Sequence, residues 1–332
     1  MNLLAALTGA AIILWVSDTL MRRRFALVYN ATAGVALPRL LDGVLGTLRS
    51  ANADVFQVPA RCADEAIERV KDLAERDVCD AVIAAGGDGT FRAVAAGAAG
   101  TDLPVGVIPL GTGNVLANEI GLRKRARHVA DVLLSGAEVD IRGGLVNGAP
   151  FFLMLGAGFD ARVIAKLNYH TKRALGRGAY VYPVLRTLAE GPRRFDVELD
   201  GRRFEASWTI LSFATRYASV FELTPDAGVG RDRMMAVVME AGTRIETAAN
   251  LVSLAFGWMA RRDTRPKGVH VLPVNHAYIG RLTTTPIEID GDEAGVSPVE
   301  ISAAGKPVRL IVPARYVADL TNRHANHVAY ES

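Results

Sequence analysis

Cysteine is scarce: Cys62 and Cys79 are the only two in 332 residues. They lack metal-ligand spacing and neighbouring histidines, which argues against a disulfide framework or a zinc site and makes a reducing cytoplasm the expectation. Charge of one sign is scarce too. The 38 Lys and Arg against 35 Asp and Glu leave a net charge of +3. That is too little for a dedicated nucleic-acid binder, though compatible with weak attraction to an anionic lipid surface. No GxxxxGK[ST] occurs, which excludes a P-loop NTPase, and no GxGxxG follows the first strand-like run, which removes the dinucleotide fingerprint. No repeat or low-complexity segment is present. The apolar run Leu3–Val16, interrupted by Thr8 and Gly9, is shorter than the about 20 residues of a membrane span. Its basic flank, Arg22-Arg23-Arg24, follows it, whereas a secretory signal places its charges first. A membrane-touching helix, a short anchor with its basic flank in the cytoplasm, and an upstream addition from a wrong start codon before Met21 all remain open.

What is present is an apolar half and a charged fraction of 22%. This suits a folded chain of two domains. From Arg24 onward, short apolar runs alternate with helical patterns. Strands are expected at 25–29, 55–58, 80–85 and 105–109, and helices at 38–50, 63–75 and 90–99. Such alternation implies parallel strands covered by helices, with ligands at the strands' carboxyl ends. Near residue 138 the rhythm changes to strands at 139–146, 151–155, 195–199, 204–213, 235–239, 269–272, 287–289 and 308–312, with helices at 161–171, 179–189 and 244–261. Asp200-Gly201 signals a hairpin. The expected organisation is an N-terminal segment 1–21, an α/β domain over 22–137, a β-rich domain over 138–313 and a tail over 314–332.

Three small-residue loops end strands in the first domain. Gly86-Gly87-Asp88-Gly89-Thr90 opens a helix, and its glycines let the backbone turn tightly and bring N–H groups close to a phosphate. Pro109-Leu110-Gly111-Thr112-Gly113-Asn114 ends the next strand, and Asn30-Ala31-Thr32-Ala33-Gly34 follows the first. Each alone could be an ordinary strand-to-helix turn. Together they can hold one nucleotide jointly.

These segments, with Gly156–Ala161 (GAGFDA) and Ile289–Asp292 (IDGD), make the chain resemble the diacylglycerol kinase catalytic-domain family over about residues 24–313. GGDGT is shared with NAD kinases; PLGTGN and the late DGD select lipid kinases. The resemblance implies an α/β nucleotide-binding domain like that of NAD kinases and phosphofructokinases, a C-terminal β-sandwich-like domain, and ATP between them. It implies that Asn30, Ala31, Thr32, Ala33 and Gly34, then Gly86, Gly87, Asp88, Gly89 and Thr90, and then Gly111, Thr112 and Asn114 surround the nucleotide. Asp292, standing where the family has Glu, is the implied proton acceptor, with Asp290 as its neighbouring candidate. Asp88 is implied to bind metal through water or to assist as a base. A metal loop is implied at Pro225–Met234, with Asp232 and the carbonyls of Val229 and Met234 holding Mg²⁺. Arg233 stands there in place of the usual Gly, Ala31 where Pro is common, and the Thr usual near Ala60–Arg61 is missing.

The expected reaction is in-line transfer of the ATP γ-phosphate to a lipid hydroxyl at the inner face of the membrane, by a peripherally associated enzyme. An NAD kinase-like enzyme and a lipid-binding pseudokinase are the competing readings. A homodimer is compatible with antiparallel edge strands. The basic clusters are scattered, while the apolar helix Leu251–Ala260 ending in Arg261 is expected to be core, to meet a bilayer or to line an acyl pocket. His170, His270 and His276 show no catalytic pairing.

Overall fold

A computed structural model of the protein describes residues 14–15, 21–31, 39–167, 176–231, 233–261 and 263–321. Most of the apolar N-terminal run, Thr32–Gly34, Asp232, the end of the helix expected at 161–171 and the tail beyond 321 lie outside those residues.

The first domain is built on strands β1 (Arg24–Asn30), β2 (Asp54–Ala60), β3 (Ala81–Gly86), β4 (Val105–Pro109) and β5 (Ala137–Arg142). Its helices are α1 (Arg39–Ser50), α2 (Ala63–Arg76), α3 (Asp88–Ala98), α4 (Val115–Glu119) and α5 (Ala126–Ser135). The order across the sheet is β5, the last strand Pro307–Val312, β4, β3, β1, β2, and Leu14–Trp15 pairs outside β5. All neighbours from Pro307–Val312 to β2 run parallel. The central strand β3 reads AVIAAG and is buried along nearly its whole length, as a strand covered on both faces must be. Helix α1 turns Leu41, Val44, Leu45 and Leu48 inward, the i, i+3, i+4, i+7 stripe of an amphipathic helix. It packs on α5, while α2 packs on α3.

The second domain is a pair of six-stranded antiparallel sheets. Its strands are β6 (Gly144–Val146), β7 (Ala149–Phe151), β8 (Met154–Gly158), β9 (Phe195–Leu199), β10 (Arg202–Ala206), β11 (Trp208–Ser212), β12 (Met234–Met239), β13 (Val269–Val274), β14 (His276–Ile279), β15 (Pro286–Ile289), β16 (Asp292–Val296) and β17 (Val299–Ser302). One sheet runs β10-β9-β14-β17-β6-β7 and the other β13-β12-β11-β8-β15-β16. Alternate residues of both, among them Phe151, Leu155, Val197, Leu211, Ala236 and Ile301, share one buried cluster. Helices α6 (Phe159–Ile164), α7 (Val181–Glu190) and α8 (Arg244–Ala255) complete it. Three hairpins turn on Asn147-Gly148, Asp200-Gly201 and Asp290-Gly291, all with positive φ at both positions. That is the type I′ geometry that matches strand twist.

The strands expected at 139–146, 151–155 and 204–213 are each two strands, the helix expected at 244–261 ends at Ala255, and α4, α5, β14, β16 and β17 are additions; the other expected elements in the described residues are present with shifted ends. Two strands expected in the second part, β5 and Pro307–Val312, instead belong to the first sheet. Their own residues read as strands in either place; which sheet they join is set by partners far away in sequence. The chain therefore leaves the first sheet after β5, builds the sandwich and returns. The domains meet where Phe91 of α3 packs edge-on against Phe152, with centroids 5.7 Å apart. Phe91 is fully buried, so Phe91→Ala is expected to cost about 3–5 kcal/mol, read as a lower urea midpoint.

Candidate functional site

The GGDGT and PLGTGN loops lie side by side because β3 and β4 pair up to Gly86 opposite Pro109. The amides of Leu110 and Gly111 both donate to the Gly86 carbonyl, at 2.9 and 3.3 Å. This approach requires glycine: a methyl on Gly111 would lie 2.6 Å from the Gly87 Cα. Asn114 holds the second loop closed. It adopts a left-handed conformation and is buried, its Oδ1 accepts from the Gly111 amide at 2.9 Å, and its Nδ2 donates to the Gly111 carbonyl.

Asp88 begins α3, yet its carboxylate reaches across to the other loop. It accepts from the amides of Val115 and Leu116 at 2.9 and 3.1 Å, two of the first-turn donors that α4 itself leaves without a partner. Thr112 is exposed beside it, whereas Gly86, Gly87, Gly89 and Thr90 are half-buried. Asn30 ends β1, one strand over, and the Ala31 amide is tied to the Ala60 carbonyl at 3.0 Å. The expected nucleotide residues within the described chain therefore share one edge of the sheet, at the carboxyl ends of β1, β3 and β4.

The second domain completes this edge. Its Asp290-Gly291 turn brings Asp292 over the start of α3, where a methyl on Gly89 would lie 2.7 Å from Asp292 Oδ2. Arg92, one helical turn beyond Asp88, donates to the Ile289 carbonyl at 2.7 Å and to Asp292 Oδ2 at 3.2 Å. The Asp292 side chain stays half-exposed. Asp290 is different: it is buried, and its Oδ1 accepts from the Leu153 and Met154 amides at 3.0 Å each. Burial raises its pKa to about 6 against the opposing charge of Arg92. Its geometry is that of a turn anchor, and Asp292 is the carboxylate presented to the cleft.

A buried acid pair lies behind this turn. Asp160 of α6 and Glu288 of β15 face each other above Gly156, where any side chain would strike both. Burial raises the Asp160 pKa to about 6 and raises Glu288 well above the usual carboxylate range, Asp160's charge adding to the latter. Asp160 Oδ1 accepts from the Tyr217 hydroxyl at 2.5 Å. Its Oδ2 has no amide or hydroxyl donor, so a proton kept on Glu288 supplies one. Glu288 Oε2 in turn accepts from the Gly291 amide at 2.8 Å, tying the pair to the turn that carries Asp292. Further contacts join the domains: Glu119 accepts from the Thr215 amide at 2.9 Å, and Ser219 donates to the Gly113 carbonyl at 3.0 Å.

The expected metal loop has other partners in its described part. The Val229 carbonyl accepts from the Tyr316 hydroxyl at 2.6 Å. Met234 begins β12 and pairs with Val274. Arg231 places its guanidinium on the carbonyls of Pro225 and Asp226. Among the described residues no group of three His, Cys, Asp or Glu side chains stands where it could hold a metal ion. Asp232, the side-chain ligand expected there, lies outside the described residues.

Sequence reasoning missed Arg92, Tyr217 and Glu288. Arg92 carried a signal, since positions 88 and 92 share a helix face. Glu288 carried a weaker one, a charge between Ile287 and Ile289 in a strand.

Comparison with known proteins agrees with the two-domain fold. The profile of the diacylglycerol kinase catalytic domain matches residues 24–146, and that of the YegS C-terminal NAD kinase beta sandwich-like domain matches 154–312. A protein of Bacillus subtilis (strain 168) named diacylglycerol kinase is 27% identical over 301 residues, covering 88% of this chain and 97% of that protein. One of Mycobacterium tuberculosis (strain ATCC 25618 / H37Rv) with the same name is 29% identical over 293 residues, covering 84% and 91%. The crystal structure of a diacylglycerol kinase from Bacillus anthracis str. Sterne superposes with a TM-score of 0.66 at 16% identity, covering 90% of this chain and all of that one, which supports the fold.

Asp160 and Asp290, with pKa values near 6, bind protons in the folded chain that they release near pH 4 when unfolded. Their contribution to stability is therefore expected to fall as pH rises from about 4 to 6, and Glu288, raised further, carries the fall to higher pH. Asp160→Asn should flatten part of that slope in urea titrations at pH 4.5 and 7; an unchanged slope would contradict the assignment.

Proposed function

The chain belongs to the diacylglycerol kinase catalytic-domain family, and on that footing we propose that it transfers the γ-phosphoryl group of ATP to a hydroxyl of a membrane lipid, diacylglycerol or a close relative. The observation that carries this reading is the placing of Asp292: a half-exposed carboxylate over Gly89, at the N-terminal end of α3 and beside two glycine loops. Phosphoryl transfer needs positioning and charge stabilisation more than covalent chemistry by the protein. An anion at a helix N-terminus meets backbone donors and the positive end of the helix dipole.

In this reading the loops at Asn30–Gly34, Gly86–Thr90 and Gly111–Asn114 receive the triphosphate of ATP, with Mg²⁺ carried on the nucleotide. The lipid hydroxyl approaches from the sandwich side, where Asp292 accepts its proton. Arg92 holds Asp292 towards the cleft and supplies a positive charge beside the phosphoryl group. Asp88 keeps the two phosphate loops in register by binding the amides of Val115 and Leu116. The setting would be the cytoplasmic face of the membrane. Among the described residues no helix is long and apolar enough to cross a bilayer.

The test is transfer of label from [γ-³²P]ATP, with Mg²⁺, to a panel of lipids in mixed micelles. Label should enter one lipid class, and Asp292→Asn should lower kcat by about 10²–10⁴-fold, the usual worth of a positioned general base. Label entering NAD, or none entering any lipid despite ATP binding, would overturn the proposal. Arg92→Ala should lower kcat without changing the apparent KM for the lipid, because the guanidinium contacts Asp292 and the Ile289 carbonyl; a pure KM effect would place Arg92 in acceptor binding instead.

A further inference from the structure

Helices α7 and α8 pack against each other, and each carries apolar side chains on its outer face as well as its inner one. On α8, Thr247, Asn250 and Ser253 point inward and are buried, Asn250 being only 5% exposed. Ile245, Val252 and Phe256 point outward, at 82%, 46% and 70% exposure. On α7, Thr187 is fully buried while Val181, Tyr182 and Leu185 are exposed, Leu185 at 59%. Inward, Leu254 is buried and Val184, Leu188 and Leu251 pack on the core, so the outer apolar side chains are additional to a normal core face; exposed apolar side chains in such number mark a surface meant for another apolar phase. Beyond the end of α8 the rings of Phe256 and Trp258 stack, with centroids 5.3 Å apart.

The charges around this face favour one occupant. Each helix contains one acid, and both acids are engaged within the protein. Glu190 of α7 is held by Arg162, Lys166 and Arg186. Glu246 of α8 closes the capping box at Thr243. The cations Arg193, Arg244, Arg261 and Lys267 remain exposed nearby along the chain and outnumber the exposed acid Asp263 among them. Apolar side chains flanked by cations, with a Trp at the margin, are the composition of a surface that settles into an anionic bilayer interface. The buried helix α6, which carries Asp160, links the two regions: it packs on α7, on β15 and on β16, where Asp292 lies.

We propose that the outward face of α7 and α8 docks the protein on an anionic membrane surface, placing the Asp292 cleft beside the lipid layer. This rests on the lipid-kinase reading for its purpose, but not for its test. The full-length protein would be floated with vesicles of phosphatidylcholine containing phosphatidylglycerol, without ATP. It should float, at least about tenfold more weakly when phosphatidylglycerol is omitted, and Leu185→Asp with Phe256→Asp should abolish flotation. Retained urea transitions in the double variant would confirm folding. Quenching of Trp258 emission by brominated acyl chains, present in the wild type and lost in Trp258→Phe, reports the same contact without a destabilising change. Flotation of the double variant equal to wild type, or quenching unchanged in Trp258→Phe, would overturn the proposal. So would a wild-type dimer that the double variant dissolves in the absence of any vesicle binding, because the face would then belong to a second copy. Phosphorylation of a short-chain, water-soluble acceptor should survive the double variant. Vesicle binding with no phosphorylation of any lipid would defeat the kinase reading and leave the docking surface standing.

Discussion

The site depends on the absence of a side chain at Gly89. A carboxylate from one domain can stand against the first turn of a helix in the other only if nothing projects from that turn, and Asp292 Oδ2 lies 2.7 Å from where a methyl would be. The other arrangements are fitted around this contact. Arg92 reaches from the same helix to pin the Asp292 hairpin. Asp88 faces the opposite way to fix the neighbouring loop. Gly111 and Gly87 let the two loops touch backbone to backbone. The glycine-loop edge and the carboxylate are thus held in register by short contacts across an interface, where small backbone shifts would have large chemical consequences.

The local part of this was legible in the sequence. Alternating apolar runs and helical stripes gave strands such as Ala81–Gly86 and helices such as Ala63–Arg76 to within a residue or two, because those signals live inside the element. The glycine loops were legible for the same reason, since tight turns at strand ends need particular residues. The sheet partners of β5 and Pro307–Val312 were not, and neither was the meeting of Asp160 with Glu288, residues 128 positions apart whose encounter is decided by how the sandwich closes. Asp292 was the implied acceptor and Asp290, two residues away, its neighbouring candidate; their surroundings separate a buried turn anchor from an exposed carboxylate.

The Asp160–Glu288 pair shows why a charged cluster close to a reaction centre need not react. Burial keeps a proton on the pair, and that proton fills a hydrogen-bond position that would otherwise be empty. The Gly291 amide on Glu288 then couples the pair to the hairpin tip. Its role in this structure is support: it fixes a turn whose position sets that of Asp292.

The return of the chain to the first sheet ties the two domains together at both ends of the sandwich. The sandwich is an insertion between β5 and Pro307–Val312, two strands that pair along their whole length. Removing the chain after residue 306 would not leave an intact nucleotide-binding half, because it would delete an interior strand and strand β5 would lose its neighbour. Relative motion is limited in the same way: two adjacent crossings oppose rotation about a single tether, and the bonds from Arg92 to Ile289, Thr215 to Glu119 and Ser219 to Gly113 hold the sandwich against the glycine loops. Any opening of the cleft must break those bonds first, so the separation of Asp292 from the glycine loops is set by them rather than by the crossings.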